Sequence, residues 1–210
     1  MATTITKFPV TLQERAELGS TPYPMEATLE AFGELLEVCE YQIEYQNGNI
    51  IAMSIASDSH EQIVANLLYV LGVIFKGNAD FKRYGSNRHI YLEADTTVFS
   101  PDASVVKGDP KIIEYAKGKT ANQNPWLVAE ILSPSTRNRD WGEKLTLYKN
   151  ISSLKYILYI EQDTPLVTVF ERRETDGRWT ALDYNALDQS FTIANSAISL
   201  GDLYENVIKI

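Results

Sequence analysis

The chain has little cysteine, little excess of positive charge and no long apolar run. Cys39 is its single cysteine. No intramolecular disulfide can form, and a reducing compartment is the expected setting. Lys and Arg number 19 against 28 Asp and Glu, a net charge of −9. That balance argues against a non-specific polyanion binder, because phosphate contacts need Lys and Arg. The longest apolar stretch, Leu67 to Phe75 with Gly72 counted in, is far short of the ~20 residues that span a bilayer. Met1 to Val10 lacks the charged start and apolar stretch of a signal peptide. A soluble, cytoplasmic chain with no membrane partner is therefore expected. Internal repeats, low-complexity tracts, helix-turn-helix motifs and zinc fingers are also missing, so no ready-made module for sequence recognition is present.

What is present is ordinary globular composition. The chain has 210 residues, 44% apolar and 22% charged, which is enough for one full domain with its own core. The charge is unevenly spread. Residues 76–155 carry 13 basic and 9 acidic side chains, and the remainder carries 6 and 19. The middle of the chain could build a basic face for a polyanion between two acidic, solubilising flanks.

Residues 1–24 hold Pro9, Pro22 and Pro24 with few periodic apolars and read as a loose arm, leaving 25–210 as one domain. From Thr28, a suitable N-cap, Leu29, Phe32, Leu35, Leu36 and Cys39 follow at helical spacing. Strands are predicted over 41–45 and 50–53 around Asn47-Gly48, a strong hairpin signal. A second helix is predicted over 59–75, with Ile63, Leu67, Val70, Leu71 and Ile74 on one stripe and Ser57 or Ser59 as cap. Strands are predicted over 87–92, 97–106 and 126–132, then a short helix over 140–150. Four more strands follow over 156–160, 166–172, 178–184 and 191–193, and a last helical turn over 200–207. This order reads as α/β or α+β: a central mixed, mostly antiparallel sheet flanked by helices.

Two carboxylates interrupt apolar strands. Glu130 sits within Trp126 to Leu132, whose near-continuous apolar character predicts burial on both faces. A buried carboxylate costs several kcal/mol unless it is paired or bound to a cation. Asp102 follows Pro101 inside a strand pattern, where proline marks an edge or a bulge that can re-aim a neighbouring side chain. On neighbouring strands, Asp102 and Glu130 would converge. A divalent cation would relieve their repulsion, and oxygen ligands favour Mg²⁺ or Mn²⁺ over Zn²⁺. Asp140-Trp141-Gly142-Glu143 has the shape of a capping box that would start a helix at Asp140. Asp140, Lys144 and Tyr148 then share one helical stripe, and Lys144 could reach the carboxylate pair. The simple alternatives are a salt bridge for Glu130, an N-cap for Asp140 and a solvated lysine for Lys144.

Three runs carry a resemblance: Ser-Pro-Asp-Ala-Ser-Val-Val at 100–106, Leu-Val-Ala-Glu-Ile-Leu-Ser-Pro-Ser-Thr at 127–136, and Arg-Asp-Trp-Gly-Glu-Lys-Leu-Thr-Leu-Tyr at 139–148. With Glu44 to Gly48, Met53 and His60 upstream and Lys155 to Tyr159 downstream, the chain resembles the Uma-two family. That bacterial family is grouped with restriction endonucleases in the PD-(D/E)XK nuclease superfamily. The resemblance implies a restriction-endonuclease-like fold and a Mg²⁺-dependent phosphodiesterase, with Mn²⁺ as a substitute and DNA as partner. It matches Asp102 and Glu130 to the paired acids. Leu132 stands where the superfamily places its lysine, and Lys144 on the following helix is the replacement. The backbone carbonyl of Ile131 would be a third metal ligand. Glu44 would complete the metal shell or hold a second cation, and His60 matches a family position. Arg137, Arg139, Lys82, Arg83 and Arg88 are candidates for phosphate contacts. Cutting both strands of a duplex commonly uses two sites, which would make the protein a homodimer. The competing readings are a catalytically silent DNA- or partner-binding protein with the nuclease fold, and a hydrolase of some other phosphate ester.

Overall fold

The computed structural model describes residues 7–207. Two mixed sheets and a small ribbon carry the fold, with a few helices packed on them. The first sheet has the strand order β1-β3-β2-β6-β5-β9-β8. Its members are β1 (Tyr23–Glu26), β2 (Ile43–Gln46), β3 (Asn49–Ala52), β5 (Ile90–Leu92), β6 (Thr97–Phe99), β8 (Ile112–Ala116) and β9 (Lys119–Asn122). The second has the order β13-β12-β11-β10-β7-β4. Its members are β4 (Phe81–Gly85), β7 (Ala103–Lys107), β10 (Leu127–Leu132), β11 (Tyr156–Glu161), β12 (Val167–Arg172) and β13 (Trp179–Tyr184). β14 (Ser190–Ile193) and β15 (Ser196–Ser199) form the ribbon. Pairing is antiparallel except at β10–β11 and β5–β9, so the expected mixed, mostly antiparallel character holds, divided between two sheets.

Local sequence explains much of this. Asn47 and Gly48 both take positive φ, 47° and 79°, as a two-residue turn matching the strand twist requires, and they join β2 to β3 in the predicted hairpin. Thr28 caps α2 (Leu29–Leu35) by accepting from Ala31 N, and Ser57 caps α3 (Asp58–Ile74) by accepting from His60 N. Ile63, Leu67, Val70 and Leu71 form the buried stripe of α3 and pack with Leu127, Ala129 and Ile131 of β10. The opposite face of β10, Val128 and Leu132, packs with Phe99, Leu145 and Tyr148. Glu130 falls on this second face by strand alternation. A third cluster joins the first sheet to Phe32 of α2.

Several elements differ from the sequence expectations. Residues 1–6 of the expected loose arm lie outside the described residues, but the rest of the arm is structured. Thr11 and Glu14 form a reciprocal capping box on α1 (Leu12–Glu17), and β1 pairs with β3. Arg15 is buried and donates to the carbonyls of Met53 (2.6 Å), Gly19 (2.6 Å) and Thr21 (3.0 Å), which ties this segment to the first sheet. The predicted strand 97–106 is two strands in two sheets. Ser100-Pro101-Asp102 is the crossing between them, because proline lacks the N–H that would continue a ladder. β4, the β8–β9 hairpin and β15 were not anticipated.

His89 sits against this scaffold, its Nδ1 2.6 Å from the Tyr115 hydroxyl. Burial lowers its pKa from 6.5 to about 4. The folded chain therefore keeps His89 neutral while the unfolded chain takes up a proton below 6.5. Its contribution to stability is complete above that pH and is lost as pH falls towards about 4. Urea unfolding across this window should show His89→Phe losing less stability on acidification than the parent. Identical pH slopes for the two proteins would contradict the assignment.

Candidate functional site

The candidate site lies where the two sheets meet. Ala103 of β7 pairs with Ala129 of β10, so Asp102, one residue before β7, lies alongside Glu130. β7 and β10 are neighbours, which is the condition under which the two carboxylates converge. Asp102 Oδ2 accepts from the Ile131 backbone N–H at 2.7 Å and lies 3.3 Å from His60 Nε2 at the start of α3. Glu130 Oε1 accepts from the Tyr148 hydroxyl at 2.5 Å and lies 2.8 Å from Lys144 Nζ.

Lys144 arrives by an unusual turn. The predicted helix start at Asp140 is corrected by the structure, because helical backbone already begins at α4 (Arg137–Arg139). It runs through a π turn, Asp140–Lys144, into α5 (Leu145–Asn150). Asp140 is therefore a buried residue inside the helix rather than an N-cap, with its carboxylate Oδ1 3.8 Å from Lys144 Nζ. The Tyr159 hydroxyl donates to the Asp140 carbonyl at 2.5 Å. Such π turns frequently mark functional sites.

Glu44, from β2 of the other sheet, closes the cluster. Its Oε1 accepts from the Ser100 N–H and from Lys144 Nζ, each at 3.0 Å. Its Oε2 lies 2.6 Å from Arg139 Nη1. With both oxygens engaged by cations and a backbone donor, Glu44 acts here as the counter-ion that holds Lys144 and Arg139. Glu44 Oε2, for all its closeness to Arg139, makes no hydrogen bond among the described residues. Phe99 packs under the cluster, its ring centre 5.3 Å from Lys144 Nζ.

Burial sets the electrostatics. Lys144 is 1% exposed, Glu130 5% and Asp102 7%. Burial pushes the Glu130 carboxyl up to about 8, helped by the charges of Asp102, Asp140 and Glu44 and opposed by Lys144. Burial also works against ionised Glu44, but Lys144 and Arg139 hold it at about 2. Lys144 would lose its proton on burial alone, yet Glu130 and Glu44 push its pKa above the usual lysine range. The cluster thus contains four carboxylic groups, Glu44, Asp102, Glu130 and Asp140, against two permanent cations, Lys144 and Arg139. With Glu130 keeping its proton below about 8, the ionised carboxylates outnumber these two cations by at most one, and His60 stands against Asp102.

Asp102, Glu130, Lys144 and His60 line one cleft of about 340 Å³, together with Ile131 and Asp140. Its rim is rich in hydroxyls, which the sequence reading did not single out. Ser133 Oγ bonds Ser135 Oγ at 2.8 Å and Thr136 Oγ1 at 3.1 Å. Of the five basic residues offered as phosphate contacts, none is among the cleft-lining residues. Arg139 is half-buried and pairs with Glu44. Arg83 donates to the Gly72 carbonyl at the end of α3, and Lys82 to the Gly108 carbonyl. Arg88 is held by Asn122 and Thr120, and Arg137 pairs with Glu161 at 2.7 Å.

Known proteins share this sequence and fold. A family model described as "Uma2: Putative restriction endonuclease" matches residues 29–199. The uncharacterized protein slr1290 of Synechocystis is 30% identical over 180 residues, 83% of this chain and 88% of that protein. The uncharacterized protein sll1609 of the same organism is 29% identical over 119 residues, 57% of this chain and 66% of that protein. A crystal structure from Anabaena variabilis, titled a putative nuclease belonging to DUF820, superposes with a TM-score of 0.66 at 18% identity. That match covers 86% of this chain and 99% of the other, and it bears out the mixed α and β architecture.

Two substitutions probe the cluster without any substrate. Glu44→Gln removes the charge that neutralises buried Lys144 and half-buried Arg139 and should lower unfolding free energy by about 3 kcal/mol. Tyr148→Phe removes one hydrogen bond to Glu130 and should cost about 1 kcal/mol. Chemical denaturation ranks them, and a Glu44→Gln protein as stable as the parent would contradict the counter-ion role.

Proposed function

This chain belongs to the Uma2 family of putative restriction endonucleases, and from that premise we propose that it hydrolyses phosphodiester bonds of DNA using a bound divalent cation, Mg²⁺ or Mn²⁺. The observation that carries the reading is the convergence of Asp102, Glu130 and Lys144 in one cleft, within a cluster that has two more acidic groups than cations. A divalent cation would take the place of the Glu130 proton and balance the ionised cluster.

The donor set fits such an ion. Asp102 and Glu130 offer hard oxygen atoms, and the Ile131 carbonyl would be a third donor. Among the described residues, no three His, Cys, Asp or Glu side chains form a ready cage. Mg²⁺ is commonly held by one or two carboxylates and keeps several waters. When bound, it would supply Lewis-acid stabilisation of phosphate charge and a more acidic water.

The chain's own side chains do the positioning. Lys144 presents an ammonium beside Glu130, where it can orient the attacking oxygen and offset charge growing on the phosphorus oxygens. Glu44 and Arg139 fix where Lys144 stands. Tyr148 holds Glu130 from one side. His60 holds Asp102 and narrows its rotamer choice, while the Ile131 N–H fixes the same carboxylate oxygen. None of these groups needs to move far between substrate and transition state, which is the condition for electrostatic preorganisation.

Cleavage of supercoiled plasmid and of single-stranded circular DNA with Mg²⁺, Mn²⁺ or EDTA tests the proposal. Metal-dependent cleavage should fall about 100-fold in Lys144→Met and vanish in Asp102→Asn. A folded protein that cuts nothing with either metal would favour a binding protein that keeps the nuclease fold. Activity surviving in Asp102→Asn would show that the site is wrongly assigned.

A further inference from the structure

The cleft's shape and lining point to the form of its substrate. The carboxylates lie deep, at 7% and 5% exposure, and Lys144 at 1%. Hydrogen bonds link the two segments that wall the cleft. The Ser135 hydroxyl donates to Ser54 Oγ at 3.4 Å, and the Ser57 hydroxyl donates to Gln162 Oε1 at 3.1 Å. Ser54 and Ser57 belong to the segment before α3. Ser135 and Gln162 follow the carboxyl ends of β10 and β11. A double helix, whose major groove alone is about 12 Å wide, is too broad to carry its backbone down to groups this deeply buried.

The charge pattern agrees. Lys144 is the one Lys or Arg among the cleft-lining residues, and it is already paired with Glu44 and Glu130. The walls instead present hydroxyls. The cleft offers no row of cations to a nucleic-acid backbone, so affinity would rest on stacking and hydrogen bonds to bases, which only an unpaired strand exposes.

A second hollow of about 450 Å³ adjoins the first and shares Gln42, Ser54, Ile55, Ser86 and Ser100 with it. Its other walls include Leu36, Ile43, Tyr41 and His89. Apolar and aromatic surface beside amide groups suits an unstacked base, since such sites stack a base on a ring and bond its polar edge.

We infer that the two hollows together take one unpaired DNA strand, with the phosphodiester at Asp102 and Glu130 and a neighbouring base in the Tyr41–His89 hollow, and that an intact duplex is excluded. This inference rests on the nuclease reading for its chemistry, but not for its occupant.

One labelled oligonucleotide tests it in three forms: alone, annealed to its full complement, and annealed so that one end stays unpaired. Cleavage is followed in Mn²⁺, and binding by fluorescence anisotropy in Ca²⁺. The free strand and the unpaired end should be cut at least about ten-fold faster than the duplex and bound more tightly, with cuts confined to unpaired positions. A duplex cut or bound as well as the free strand would overturn the inference. Tighter binding of the free strand without cleavage of any form would uphold the occupant and defeat the nuclease reading. Binding of none of the three would defeat both.

Discussion

An ammonium group at 1% exposure is the constraint around which the centre of this molecule is arranged. Buried charge is costly unless it is paired and hydrogen-bonded. Lys144 meets that requirement by touching Glu130 on one sheet and Glu44 on the other. The lysine thereby joins the two sheets through a polar contact rather than an apolar one. Each partner is held in turn: Glu44 by Arg139 and the Ser100 N–H, and Glu130 by Tyr148. The Ser100-Pro101-Asp102 crossing contributes to both sides, since Ser100 serves Glu44 and Asp102 stands beside Glu130.

Such a network is a poor investment in stability alone, because hydrophobic residues of similar volume often do as well. Its acidic excess makes the point sharper. Two cations stand among four acidic groups, and burial holds Glu130 up at about 8. On the proposed reading, a divalent cation would take the place of the proton that burial keeps on Glu130. On the same reading, the cleft at the carboxyl ends of β10 and β11 would give that cation and a phosphate a shared place.

The sequence made the apolar framework legible where periodicity was strong. The Asn47-Gly48 turn, the Thr28 and Ser57 caps and the α3 stripe were readable because each is a local rule satisfied by local residues. What escaped was set by tertiary pairing. β4 carries Lys82 and Arg83 in a five-residue edge strand, and β8 and β9 mix Glu114, Lys119 and Asn122 into short strands, so alternation is weak there. The capping box at Thr11 and Glu14 was a usable signal for α1, hidden by the neighbouring prolines. Within the site, Asp102, Glu130 and Lys144 were readable as out-of-place charges or through the family resemblance. The partnerships of Glu44 and Arg139 were not, since nothing in their local sequence reveals that two sheets bring them within 2.6 Å. Asp140 misled for the opposite reason: a good local capping motif was overruled by a helix that had already begun at Arg137.

The central claim is that this acidic excess is a seat for one divalent cation. Calorimetric titration of the purified protein with Mn²⁺, beside Glu130→Gln and Asp102→Asn, addresses it without any nucleic acid. The account predicts a single site in the parent that is weakened at least about ten-fold in either variant, as loss of a metal-binding carboxylate should do. Equal binding in all three proteins, or none in the parent, would contradict it.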